Sequence, residues 1–158
     1  MSRFLSYVVV LLAATVGVAA AADLRLIDAV KNRNIEAVRF LLSQRVDVNA
    51  PQGDGATALH WAVHFDDLST TDLLVRAGAH VNAANDTGVT PLHLACTNRS
   101  AVMVDKLLTA GANPNAGLLN GETVLMTCAR TGEPGAVKAL LARGADVNAR
   151  SRRTIRRR

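Results

Sequence analysis

The chain repeats itself every 33 residues. A fixed period of that length implies a stacked array of small units rather than a closed globule. The pattern is clearest from Ala84 to Ala116, which reads ANDTGVTPLHLACTNRSAVMVDKLLTAGANPNA. Shifting this stretch by one period in either direction brings Thr90 onto Thr57 and Thr123, and Leu92 onto Leu59 and Leu125. Gly111 falls onto Gly78 and Gly144, and Asn115 onto Asn82 and Asn148. One unit cannot bury its apolar stripe alone, whereas about three or more stacked copies bury a continuous one.

Local chemistry predicts two short helices per unit. Thr90 is a helix N-cap whose hydroxyl accepts from a free N–H of the first turn. Pro91 then takes the first helical position, where its missing donor is harmless. Leu92, Ala95 and Cys96 share one helical face. Asn98-Arg99-Ser100 interrupts the helix, and Ser100 caps a second one that carries Val104, Leu107 and Leu108. Gly111 ends that helix in the left-handed conformation. The same faces recur as Leu26, Ala29, Val30 with Val38, Leu41, Leu42 in the first unit, where Asn34 is the cap. They recur as Leu59, Ala62, Val63 with Thr71, Leu74, Val75 in the second. In the fourth they are Leu125, Cys128, Ala129 with Val137, Leu140, Leu141, the second helix starting at Glu133-Pro134. Arg45 stands where later units have Gly, so the first unit's second helix is expected to end less well.

These residues resemble the ankyrin repeat. The family's Thr-Pro-Leu-His core stands as Thr90-Pro91-Leu92-His93 and as Thr57-Ala58-Leu59-His60. Its Gly-Ala-Asp-Val-Asn-Ala end stands at Gly144 to Ala149, with close variants at Gly78 to Ala83 and Gly111 to Ala116. The fourth unit departs, with Thr123-Val124-Leu125-Met126 lacking the histidine. The resemblance implies an all-α ankyrin-repeat solenoid of helix-turn-helix units joined by β-turn loops. Its units are 23–50, 51–83, 84–116 and 117–149, and the first reads as an atypical capping repeat.

The two ends differ from this body. Phe4 to Val18 is an apolar run behind Arg3, followed by the small residues Ala19 to Ala22. That is the pattern of a secretory signal peptide over residues 1–22, cleaved after Ala20 or Ala22. The run is also near spanning length, so an uncleaved anchor is the alternative. Residues 23–149 hold 11 Lys/Arg against 13 Asp/Glu, and the overall charge of +5 comes from Arg3 and six arginines in 150–158. The basic balance therefore describes an arm and gives no reason to expect nucleic-acid binding by the body. The arm itself reads as a solvated end, as an interaction tail for an anionic surface, or as a frameshift or truncation artefact. Arg153-Thr154-Ile155 can be encoded CGG-ACA-ATC, which one frame over reads Gly-Gln-Ser, a common opening of an ankyrin repeat. The polar capping unit that arrays use at their C-terminal side is not seen.

His60 and His93 sit on the motif position, where the resemblance implies hydrogen bonds between neighbouring turns. His60 and His64 are spaced like a helical metal pair, but no third ligand accompanies them. His80 is expected to be exposed. Cys96 and Cys128 are read as two separate buried thiols, since helix axes about 8–10 Å apart would hold the Cα atoms beyond the roughly 7 Å a disulfide spans. No nucleophile–base arrangement or phosphate loop stands apart from the repeat scaffold, so no catalytic, cofactor or metal set is assigned.

Solenoids bind along a concave surface. The ankyrin family uses its turn tips and the exposed ends of its first helices. Those positions are Asp54, Ala56, His64 and Phe65 in the second unit, and Asp86, Thr87, Val89, Thr97 and Asn98 in the third. In the fourth they are Leu119, Asn120, Glu122, Arg130 and Thr131. Trp61 either faces this groove or fills a gap between first helices. The expectation is a monomeric, non-enzymatic scaffold of an exported, bacterial protein that binds a protein partner in the periplasm or after secretion. The alternative is an N-terminal portion or regulatory module of a larger exported protein. Membrane attachment enters only with an uncleaved anchor.

Overall fold

The computed structural model describes residues 16–151, with side chains from residue 24 onward. The apolar run up to residue 15 and the arm from residue 152 lie outside the described residues. Eight helices follow one another in four antiparallel pairs: α1 (Val16–Lys31) with α2 (Ile35–Ser43), and α3 (Ala58–His64) with α4 (Leu68–Arg76). The others are α5 (Pro91–Thr97) with α6 (Ala101–Thr109), and α7 (Val124–Thr131) with α8 (Pro134–Ala142). The odd helices stack as an inner row and the even ones as an outer row. No strand forms among the described residues, so the chain is an all-α solenoid. The expected boundary after residue 22 falls inside α1.

The caps explain the helix starts. At Thr57 and Thr90 the box closes on the histidine three residues on: the Thr57 N–H donates to His60 Nδ1 at 3.1 Å, and the Thr90 N–H to His93 Nδ1 at 3.3 Å. Outer helices are capped by Asn34, Asp67, Ser100 and Glu133. Each pair turns at a left-handed residue, which is Arg33, Asp66 and Arg99 in the first three units and Gly132 in the fourth. Arg45 takes a φ of 55° and closes the same turn as the later glycines, at the conformational cost that a non-glycine bears there.

The core is narrow and made of small groups. Leu59, Ala62, Val63, Leu92, Ala95 and Cys96 are all at most 1% exposed. Thr71 is wholly buried and its hydroxyl has no partner, so the second unit's polar departure adds nothing to the hydrogen bonding. In the fourth unit the expected faces are only half realised. Cys128 and Leu140 are fully buried, whereas Leu125 and Val137 are half-exposed, and Ala129 and Leu141 are exposed. These four belong to the outer face of the last described pair, against which no described helix packs.

The two cysteines correct the expectation of separate thiols. Cys96 and Cys128 form a disulfide, with Cα atoms 4.7 Å apart. Typical helix spacing misleads here because these inner helices meet through small residues. The offset of 32 residues rather than a full period is what makes the pairing possible. Cys128 holds the register of Ala95, on the side facing the preceding unit. Cys96, one position further round its helix, faces the following unit.

Units are also tied by an asparagine ladder. Asn49 Nδ2 donates to the Gly78 carbonyl at 3.1 Å, while its Oδ1 accepts from the His80 N–H at 2.7 Å. Asn82 bridges Gly111 and Asn113 in the same way, at 3.0 and 2.7 Å. Asn115 bridges Gly144 and Asp146, again at 3.0 and 2.7 Å. The two bonds saturate a carbonyl near a helix end and a loop N–H two residues on.

Candidate functional site

The turn tips form a row of fingers beside the inner helices. Each finger is a tight turn closed on itself, by Gln52 N–H to the Ala56 carbonyl, Asn85 N–H to Val89 and Leu118 N–H to Glu122. The second and third units' fingers are joined by the Asp86 N–H donating to the Asp54 carbonyl at 3.0 Å. Gly55 permits this closeness, and Gly88 permits the matching approach of the third and fourth fingers. A Cβ on Gly88 would stand 3.1 Å from the Leu119 nitrogen, and its φ of +83° suits glycine.

Between these two fingers lies a cleft of about 170 Å³, lined by Asp54, Ala56, His60, Trp61, His64, Asn85, Val89 and Leu94. Five of the residues expected on sequence grounds, Asp54, Ala56, Trp61, His64 and Val89, therefore converge on one cavity. Its size suits a single side chain. Leu94, Asn85 and His60 were not among those expected. Leu94 stands in the register of Trp61, so the periodicity carried a signal for it.

Trp61 packs beside the first unit and also lines the cleft. It is half-buried, with its indole N–H donating to Gln52 Oε1 at 3.1 Å and the Lys31 ammonium 4.4 Å from its ring centroid. Lys31 of the first unit and Gln52 of the ring's own finger thus fix the ring while it still walls the cleft. His64 is exposed and meets the Trp61 ring edge-on at 5.7 Å. Phe65 is half-buried under the Arg33 guanidinium, 4.8 Å away, and is less available than expected. The Asp54 carboxylate accepts from the Ala56 N–H and from Gln52, and these bonds hold its pKa below the usual value. Ala56 itself is only 6% exposed, so its expected place on an open finger tip is corrected. The finger folds it inward, and it contributes the floor of the cleft.

The remaining predicted residues divide by what holds them. Asp86, Thr87 and Asn120 are exposed at finger tips, and Thr97 at the end of α5. Leu119 is 77% exposed at the fourth finger. Asn98 is occupied structurally, its amide donating to the Val63 and His64 carbonyls at 2.8 and 3.0 Å. Thr131 likewise donates to the Cys96 carbonyl at 3.0 Å. Glu122 pairs with Arg130 at 2.7 Å, and this bond keeps its pKa low.

The two motif histidines differ. His60 accepts at Nδ1 and so donates from Nε2, to the Val89 carbonyl at 3.0 Å. Burial holds it neutral by lowering its pKa, against the opposing pull of that carbonyl. His93 is buried in the same way, but its Nε2 has no hydrogen-bond partner. Burial lowers its pKa to about 4, offset only in part by the Glu122 carboxylate and carbonyl. The imidazole bond between neighbouring turns is thus made at one of the two sites.

The pattern of the family Ankyrin repeats (3 copies) matches residues 26–117 and 84–151. The chain belongs to the ankyrin-repeat family. Members of this family generally serve as modules for protein–protein interaction and are typically not enzymes. No curated protein matches the chain.

Proposed function

We propose that the protein is a non-enzymatic scaffold that holds a segment of a partner protein between its finger tips and inner helices, outside the cytoplasm. The observation that carries this is the cleft beside Trp61. It is preformed, with walls pinned by Gln52, Lys31 and the finger turns. A side chain entering it finds ordered groups and meets little ordering cost. Leu119, exposed one finger further on, offers a second apolar contact along the same row.

The Cys96–Cys128 disulfide supports an oxidising location, because such bonds persist in exported proteins and are rare in the cytosol. It agrees with the leader pattern of residues 1–22. The test is site-specific photo-crosslinking in living cells, with the reactive group at His64 or Leu119 in the groove, or at Val102 on the outer row. A partner adduct of one mass from the groove positions, absent from Val102, is the expected result. Equal labelling at all three, or labelling from Val102 alone, would overturn the groove.

A further inference from the structure

The cleft beside Trp61 joins a carboxylate, Asp54, to two aromatic groups, Trp61 and His64, beside the apolar Ala56, Val89 and Leu94. The Asp54 carboxylate takes its two hydrogen bonds on Oδ1, from the Ala56 N–H and the Gln52 amide at 2.9 Å each. Both donors are neutral, so they leave its charge in place, and Oδ2 makes no bond among the described residues. Asp86 brings a second carboxylate to the same joint, its Oδ1 standing 2.9 Å from where a Cβ on Gly55 would be. Lys31 is spent elsewhere: it lies 4.4 Å from the Trp61 ring centroid and donates to Gln52 Oε1 at 2.8 Å. The next joint is built differently. One period on, Asp54, Trp61 and His64 become Thr87, Leu94 and Thr97. The carboxylate of the fourth finger, Glu122, already holds the chain's own Arg130 guanidinium at 2.7 Å. An aromatic wall beside a carboxylate that no cation pairs with thus occurs at the second and third fingers.

We propose that the Trp61 cleft takes a basic side chain, a lysine or arginine of the partner's segment. This rests on the groove reading above and narrows it to one chemistry of ligand. The alkyl stem of such a side chain covers Ala56, Val89 and Leu94, as long cationic side chains do on apolar surface. Its charged head meets Asp54 Oδ2 and is drawn to the indole ring. An acidic side chain would face Asp54 as a like charge. A purely apolar one would take that carboxylate out of water without giving it a partner, which is costly. Lys31 works against an incoming cation, but it sits over the ring and not against Asp54, and two carboxylates stand at the joint.

The chain has a single tryptophan, so its indole N–H gives one NMR signal from the wall of the cleft. The full chain is titrated with four capped peptides, Gly-Ser-Ala-X-Ala-Ser-Gly, in which X is arginine, lysine, leucine or glutamate. The arginine and lysine peptides are expected to shift the signal to saturation and to bind about tenfold tighter than the other two, as a charge-assisted hydrogen bond implies. Asp54→Asn keeps an acceptor for the Ala56 N–H and the Gln52 amide but removes the charge. It should weaken the basic peptides about tenfold and leave the leucine peptide unchanged, while Asp105→Asn, an exposed carboxylate of the outer row, should alter none of them. Equal binding of all four peptides, a preference for leucine, or undiminished binding by Asp54→Asn would overturn the basic ligand and leave the groove standing. A silent signal with every peptide would overturn it too, and crosslinking from His64 and Leu119 then judges the groove separately. A shift caused by deleting residues 152–158 alone would assign the cleft to the chain's own arginines and overturn the partner's side chain as its occupant.

Discussion

Single residues in this protein act mostly by closing hydrogen bonds that a neighbouring unit opens. The two motif histidines give this a pH signature. Both are held neutral by burial, His93 with a pKa of about 4. In the unfolded chain they protonate near the ordinary value of about 6.5. Their contribution to stability is therefore complete above that pH and falls as the pH drops toward about 4. The urea midpoint should decline over this window, and His93→Met, the residue unit four uses at Met126, should flatten the decline. The left-handed turns give a second prediction. Arg99 has a φ of 59° and its side chain makes no hydrogen bond among the described residues. Arg99→Gly, which copies Gly132, should raise stability by up to about 1 kcal/mol in chemical denaturation. The Thr90 cap was readable from the local sequence, whereas a turn-bridging role for His60 and His93 was implied only by the ankyrin resemblance. The orphaned His93 nitrogen was not, because it depends on where the Glu122 carbonyl falls on the next finger. Nor was the burial of Ala56, which follows from the inward fold of its own turn.

At the scale of helices and fingers, closeness of approach decides the outcome. Spacing predicted two helices per unit with starts at Asn34, Thr90, Ser100 and Glu133, and those helices form there, while the Asp67 cap of α4 was not read from it. What spacing did not convey was how near small side chains bring the inner helices. That is why Cys96 and Cys128 read as separate thiols and are in fact joined. The bond closes a loop with a sequence separation of 32. Removing it with Cys96→Ala and Cys128→Ala should lower stability by about 3–4 kcal/mol on the loop-entropy view. Alanine is the ordinary residue of the motif there, so packing is kept. Hydrogen exchange should show the loosening first in α7 and α8. In the fingers, Gly88→Ala places a methyl group 3.1 Å from the Leu119 nitrogen in a left-handed turn. A loss of about 1–2 kcal/mol is expected from the backbone conformation alone, read by thermal unfolding against Gly53→Ala, where nothing lies within 4 Å.

Across the whole molecule, stability is a sum over neighbours, and the middle units have two neighbours each. The proposed binding groove runs along one side of this array. Leu119→Asp separates function from folding. It should change stability by no more than about 0.5 kcal/mol, as exposed positions do, yet remove the groove adduct. The array and its register were visible in the 33-residue period. The contacts of the candidate site were not visible there, because neither the pinning of Trp61 by Lys31 and Gln52 nor the spending of Asn98 and Thr131 on inter-unit bonds leaves a trace in spacing. The most direct test of a stacked array at work outside the cytoplasm is mass spectrometry of the protein taken from its own cells, without reduction. The account predicts a Cys96–Cys128 linked peptide and an N-terminus at residue 21 or 23. Two free thiols on a chain that still begins at Met1 would contradict it.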